Sequence, residues 1–152
     1  MVEFVKLDLQ KIKIMKTNFL LALFLLSFNH FVNSQTASSH KIIFQLTTAD
    51  TLAHKALMKQ IKNIKSVSPD TKIEVVCHGP GLEMLQKEKS IVKNGIKEST
   101  KMGVEFKACE FSLKERKVEK TSIVEESGFV EAGILHIVSK QEQGWTYIKA
   151  GF

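Results

Sequence analysis

KIEVVCHGPGLEML, residues 72–85, decides the fold. Ile73, Val75, Val76 and Cys77 make a nearly continuous apolar run, the pattern of a strand buried on both faces. The run stops at His78-Gly79-Pro80-Gly81, where glycine frees the backbone and proline withdraws a donor from the ladder. Beyond it Leu82, Met84 and Leu85 take up a helical apolar spacing. A buried strand that turns at once into a helix is half of a βαβ unit, and in open α/β sheets ligands gather where strands end and helices begin. Cys77, His78, Gly79 and Gly81 therefore form a candidate pocket or anion-binding corner, because glycines permit close approach and a helix start offers unpaired N–H groups. A plain strand-to-helix turn accounts for the same residues, and a short glycine pair favours the turn over a ligand.

Working outward, Lys41 to Thr48 (KIIFQLTT) predicts a first strand, with Asp50 capping the helix after it. From Thr51 to about Ser66, Ala53, Leu57, Ile61 and Ile64 recur at helical steps, while Lys55, Lys59, Lys62 and Lys65 lie on other faces. Ser68-Pro69-Asp70 ends that helix. On the other side, Ser90 to Lys101 predicts a helix with Ile91, Val92 and Ile96 inward and Gly103 as its stop. Val104 to Cys109 is a third strand, and the helix formers of Glu110 to Val118 follow, so Cys109 stands at a strand's carboxyl end facing a helix start. Thr121 to Glu126 reads as a short helical turn or loop, and Phe129-Val130 as part of a short fourth strand. Ile134 to Gln143 holds a strand-like core, but Gly144 resembles a helix C-cap and Ile134, Leu135, Val138 and Gln141 share one helical face, which predicts a helix. Trp145 to Lys149 is then the last strand. Five strands alternating with helices predict a three-layer α/β sandwich, mainly parallel, with helices on both faces.

At 152 residues the chain has room for one domain with a real core, and a 43% hydrophobic, 25% charged composition is that of a globular chain. The amino-terminal stretch stands apart. Lys11, Lys13 and Lys16 precede FLLALFLLSF, residues 19–28, and a short polar region ends at Val32-Asn33-Ser34. That run is too short for a spanning helix, which needs about 20 residues, but it suits the apolar core of a secretory signal, with Val32 and Ser34 at the small-residue positions before cleavage. The expected product begins after about Ser34, continues through a linker to His40, and carries its domain over residues 41–152 in the periplasm or outside the cell, with no membrane attachment after cleavage. A retained anchor is the competing reading. Met15-Lys16 offers a compact start of its own, so residues 1–14 are either an overlong start or a long basic leader region.

Removal of Lys6, Lys11, Lys13 and Lys16 together with Glu3 and Asp8 lowers the formal net charge from +6 to +4. The remaining lysines are spread along helices, with no arginine-rich arm and no aromatic-studded basic strand, so no nucleic-acid partner is expected. The two cysteines, Cys77 and Cys109, fit neither a zinc nor a CxxC spacing. His40, His54 and His136 have no ligand-spaced partners, and no metal or cofactor is expected. Serine-hydrolase and dinucleotide fingerprints are absent, and no paired carboxylates stand near the corner to support hydrolysis. Trp145 and Tyr147, alternating on the last strand, read as core and subunit-contact residues.

Three runs taken in order, VVCHGPGL (75–82), GVEFKAC (103–109) and the segment from Gly133 to Ile148 with Gln141, Gly144, Trp145 and Tyr147, resemble the DsrE/DsrF-like family of sulfur-relay proteins. The resemblance covers essentially everything from Lys41 on. It implies a flavodoxin-like sheet, assembly into homo-oligomers (trimers or hexamers), and in some members a cysteine that carries persulfide sulfur between a donor and an acceptor protein. That cysteine corresponds here to Cys109. A helix start would favour its thiolate, and Lys107, Lys114 and Arg116 would add positive charge against Glu110. The competing reading is a small buried hydrophobe. Cys77 and His78 are neighbours on an extended strand and point to opposite faces. In a flavodoxin-like order of 2-1-3-4-5 the second and third strands flank the first, which would hold the two cysteines too far apart for a disulfide. The expectation is an exported persulfide carrier acting through Cys109, and the alternative is a non-catalytic ligand-binding or oligomeric scaffold module.

Overall fold

Five parallel strands form the middle layer: β1 (Lys41–Leu46), β2 (Lys72–Cys77), β3 (Val104–Cys109), β4 (Ser127–Val130) and β5 (Thr146–Ala150), side by side in the order β4-β3-β2-β1-β5. The computed structural model describes residues 40–151, so the expected signal segment and most of the linker lie outside the described residues. Among the described residues no helix is long and apolar enough to cross a membrane.

The chain winds one way first. Each step from β1 to β4 moves one strand along the sheet, and right-handed crossovers put every intervening helix on the same face. These are α1 (Thr51–Val67), a 3-10 helix (Gly79–Leu85), α2 (Lys93–Lys101) and α3 (Glu110–Glu115). Their Leu57, Ile61, Leu82, Met84, Leu85, Ile96 and Leu113 pack on Phe44, Leu46, Val75, Cys77, Phe106 and Ala108 in the main core. From β4 the chain returns across the whole sheet to pair β5 beside β1, and the same handedness then requires its helix, α4 (Gly133–Glu142), on the opposite face. One helix, about 10 Å wide, covers a five-strand sheet about 20 Å across. That second face is therefore thin: Ile43, Val76 and Ile137 are buried there, while Tyr147 is 37% exposed.

The expected elements are present, with differences at specific places. The sheet is parallel throughout. β2 pairs β3 directly, Cys77 opposite Ala108, so the flavodoxin-like order 2-1-3-4-5 is corrected to 4-3-2-1-5. The cysteines are nevertheless both free. In a parallel pair, opposed residues share a face, so Cys77 points with Ala108 into the main core and Cys109 points the other way. Residues 79–85 form a 3-10 helix and not an α-helix, with Gly81, Leu82, Met84 and Leu85 buried while Pro80 is exposed and Glu83 is half-buried. Helix α2 starts at Lys93, which leaves Ile91 51% exposed where an inward side chain was expected. Asp50 caps α1 as expected, accepting from the Leu52 N–H at 2.8 Å.

The largest departure is the rotation of α4. Ile134, Leu135 and Val138 share one helical face as read from the sequence, but that face looks outward, at 55%, 67% and 42% exposed, and the residues turned to the sheet are Gly133, Ile137 and the polar pair His136 and Lys140. The reason lies in β2, where Glu74 faces α4 and takes both polar side chains as partners.

Candidate functional site

Cys109 ends β3 and occupies the N-cap position of α3, with no side-chain cap hydrogen bond. It is 4% exposed. Its Sγ accepts the Gly133 N–H, the first amide of α4, at 3.2 Å, and as a thiol donates weakly to the Glu131 carbonyl at 3.8 Å. Burial pushes the thiol's pKa up, but the Ser112 hydroxyl and the amides of Ser112, Gly133 and Phe111 outweigh it, and the net direction is down from 9.0. The Phe111 N–H is shared, since it also bonds the Glu131 carbonyl at 3.1 Å. Ser112 is turned to this task by the corner: its Oγ accepts the Gly79 N–H at 2.9 Å, which leaves the hydroxyl proton for the sulfur.

The structure separates the residues that the sequence grouped at the corner. Cys77 is fully buried on the opposite face, where burial raises its pKa far above the usual thiol range. Gly79, at φ +52°, makes the turn that brings its amide to Ser112. The Gly81 N–H bonds the His78 carbonyl at 3.1 Å. A Cβ on Gly81 would stand 2.2 Å from the Leu46 carbonyl oxygen, so glycine here serves close packing of the corner on β1. Two amides that an anion would need are thus bonded within the protein.

His78 falls on the face of Cys109. The β2–β3 register runs Cys77 to Ala108, and its continuation sets His78 beside Cys109. A Cβ built on Gly133 would lie 3.2 Å from the Cys109 Cβ and 3.4 Å from the His78 Cβ, so one glycine packs on both. The imidazole is held from β1: Gln45 Nε2 donates to His78 Nε2 at 2.7 Å, and the Tyr147 hydroxyl donates to Gln45 Oε1. With Nε2 as acceptor, the ring's proton is assigned to Nδ1. Burial holds the His78 pKa below its ordinary 6.5, so the ring is neutral at pH 7.

Two open clefts flank the sulfur. One of about 550 Å³ runs along α3 beside Phe111, Lys114 and Lys117; another of about 290 Å³ lies against Leu135, His136 and Ser139 of α4. Glu131 lines both and Cys109 lines neither, so the segment Val130–Ala132 is the wall between the thiol and solvent. Among the described residues no three of His, Cys, Asp and Glu converge as a metal-ligand set.

Sequence reasoning found Cys109 and missed its partners. Ser112 had a local signal, standing at N3 of a helix whose N-cap is the cysteine, where N-cap and N3 groups commonly meet. Gly133 and Gln45 had none, because the strand order alone brings them together.

Comparison with known proteins places the arrangement. The family model described as DsrE/DsrF-like matches residues 16–150. Nothing matches among the curated proteins. Among solved structures, the protein of unknown function MTH1491 from Methanobacterium thermoautotrophicum superposes with a TM-score of 0.69 at 27% identity, covering 72% of this chain and 98% of its own. The protein of unknown function BT1422 from Bacteroides thetaiotaomicron shares the fold, with a TM-score of 0.59 at 16% identity over 77% of this chain and 99% of its own. With a family model matched over residues 16–150 and solved structures sharing its parallel sheet, this chain belongs to the DsrE/DsrF-like family.

Proposed function

We propose that the protein is an exported sulfur carrier in which Cys109 takes up and hands on sulfur as a persulfide. Family membership supports sulfur relay in general terms. The observation that carries the specific reading is the Gly133 N–H aimed at Sγ from 3.2 Å, with Ser112 held against the same sulfur by Gly79. A merely buried cysteine would have no need of donors that favour its charged form.

The transfer step needs no outside oxidant. The Cys109 thiolate attacks the terminal sulfur of a donor protein's persulfide; a new S–S bond forms on Cys109, the donor's own S–S bond breaks, and the electron pair leaves on the donor's thiolate. Passing sulfur to an acceptor thiolate repeats the step in reverse. The N–H and O–H donors stabilise both the attacking thiolate and the Cys109 thiolate released on delivery. Because Cys109 is 4% exposed, a donor reaches it by displacing the 130–132 wall. The same proposal includes a homo-oligomer, a trimer or hexamer, supported by Ile134, Leu135 and Val138 standing outward on α4.

The near-complete burial of the sulfur favours a second reading, an oligomeric scaffold or ligand-binding module with a silent thiol. Mass spectrometry after incubation with a small-molecule persulfide decides between them. Sulfur carriage gives a gain of about 32 Da, one sulfur atom, on Cys109 that Cys109→Ser abolishes. No adduct on Cys109, under conditions that load an exposed low-pKa thiol, establishes the scaffold reading.

A further inference from the structure

Glu74 sits in β2, the central strand, and is fully buried. A buried carboxylate is tolerated only when paired, and an apolar side chain of similar size would often serve stability as well or better. Both of its oxygens are taken by α4: His136 Nε2 bonds Oε1, and Lys140 Nζ lies 2.5 Å from Oε2. His136 and Lys140 are one turn apart, so the pair grips the helix along a single line. Lys140 also stacks over the Trp145 ring at 4.5 Å. Glu105 and Lys107 on β3 share this face and pair with each other at 2.7 Å, Glu105 also feeling the charge of Lys140 and His136, and Lys41, Lys72 and Lys149 stand on the same face from β1, β2 and β5.

What such a grip decides is rotation. Helix α4 carries a second apolar surface, Ile134, Leu135 and Val138, which burial alone would turn toward the sheet. His136 and Lys140 stand on the same side of α4 as Gly133, whose N–H, the first amide of the helix, bonds the sulfur. We infer that Glu74 is a positioning residue for Cys109: by holding His136 and Lys140 it fixes the rotation of α4 that aims the Gly133 N–H at Sγ. This rests on the reading of Cys109 as a working thiolate, but its test reads the thiol itself and not sulfur loading.

The test is Glu74→Gln in the full chain, with the pH profile of Cys109 alkylation by iodoacetamide followed by mass spectrometry. Removing a negative charge from this face would by itself lower the pKa of a nearby thiol, whereas losing the Gly133 donor raises it, so the sign separates the two effects. The expected result is a midpoint higher by about half a unit or more, with alkylation at pH 7 slowed roughly threefold. An unchanged or lowered midpoint overturns the inference. Should Glu74→Gln fail to fold, His136→Gln leaves Glu74 paired with Lys140, and a smaller rise is expected; no rise in that variant overturns the inference equally. A persulfide adduct missing from wild-type Cys109 together with a raised midpoint in Glu74→Gln would remove sulfur carriage and keep the positioning role. An adduct present with an unmoved midpoint would do the reverse.

Discussion

The two cysteines stand one register step apart on adjacent strands and face opposite environments, and the difference is visible as a pH dependence. Burial raises the Cys77 pKa, so the fold holds it neutral while the unfolded chain ionises it above its ordinary 9.0. Its contribution to stability is complete below 9.0 and is lost as pH rises beyond it, by about 1.4 kcal/mol per unit. The Cys109 pKa is lowered, and its contribution has the opposite sign: complete above the unfolded value and lost as pH falls through the folded one. Above 9.0 only the Cys77 decline remains. Denaturant melts taken between pH 9 and 10.5 are expected to show that decline in the wild type and a flatter profile in Cys77→Ala. Equal slopes would mean that Cys77 is not sealed from solvent. The Glu74 cluster was not legible from the sequence for a related reason: Glu74 interrupts an apolar run that predicts a buried strand whichever helix covers it, and only the return of the chain as α4 supplies His136 and Lys140.

Elements followed from local signals wherever one local force dominated. Asp50 before an amphipathic stretch, Gly103 at φ +80° after α2 and Gly144 at φ +81° after α4 mark helix limits because capping and left-handed backbone are local matters. The rotation of α4 and the order of the strands were not legible, since both depend on which strand the chain pairs after β4. The 79–85 element joins the two levels. It turns directly over the end of β1, and Gly81 is what lets it come so close, with the Leu46 carbonyl oxygen only 2.2 Å from where a Cβ would be. Gly81→Ala must therefore push the backbone apart, and a loss of more than about 2 kcal/mol is expected in chemical denaturation. Because the Gly79 amide is tied to Ser112, the same variant should also slow Cys109 alkylation. A variant as stable as the wild type would show that the close approach is not held in solution.

Taken whole, the molecule has one thick face and one thin one, and the Cys109 sulfur lies on the thin side, with Ser112 and Gly79 reaching it from the elements at the thick side's edge. A single helix covers the thin side, Tyr147 and Ile134, Leu135 and Val138 stand outward, and the thiol sits just under the helix's first residue. An assembly that covers α4 would also cover the approach to Cys109 and bring the 130–132 wall to a subunit boundary. Leu135→Glu, at the most exposed of these positions, is expected to reduce the proposed oligomer to smaller species in sedimentation without unfolding the chain; a wild type that sediments as a monomer, or a variant with an unchanged profile, would contradict assembly through α4. Relay depends above all on whether this nearly buried sulfur is a thiolate in reach of neutral pH. The most direct measurement is the ultraviolet thiolate titration of the wild type minus that of Cys109→Ser, in which Cys77 cancels. A midpoint below 9.0 is what the donors around Sγ require, and a midpoint at or above 9.0 would contradict them.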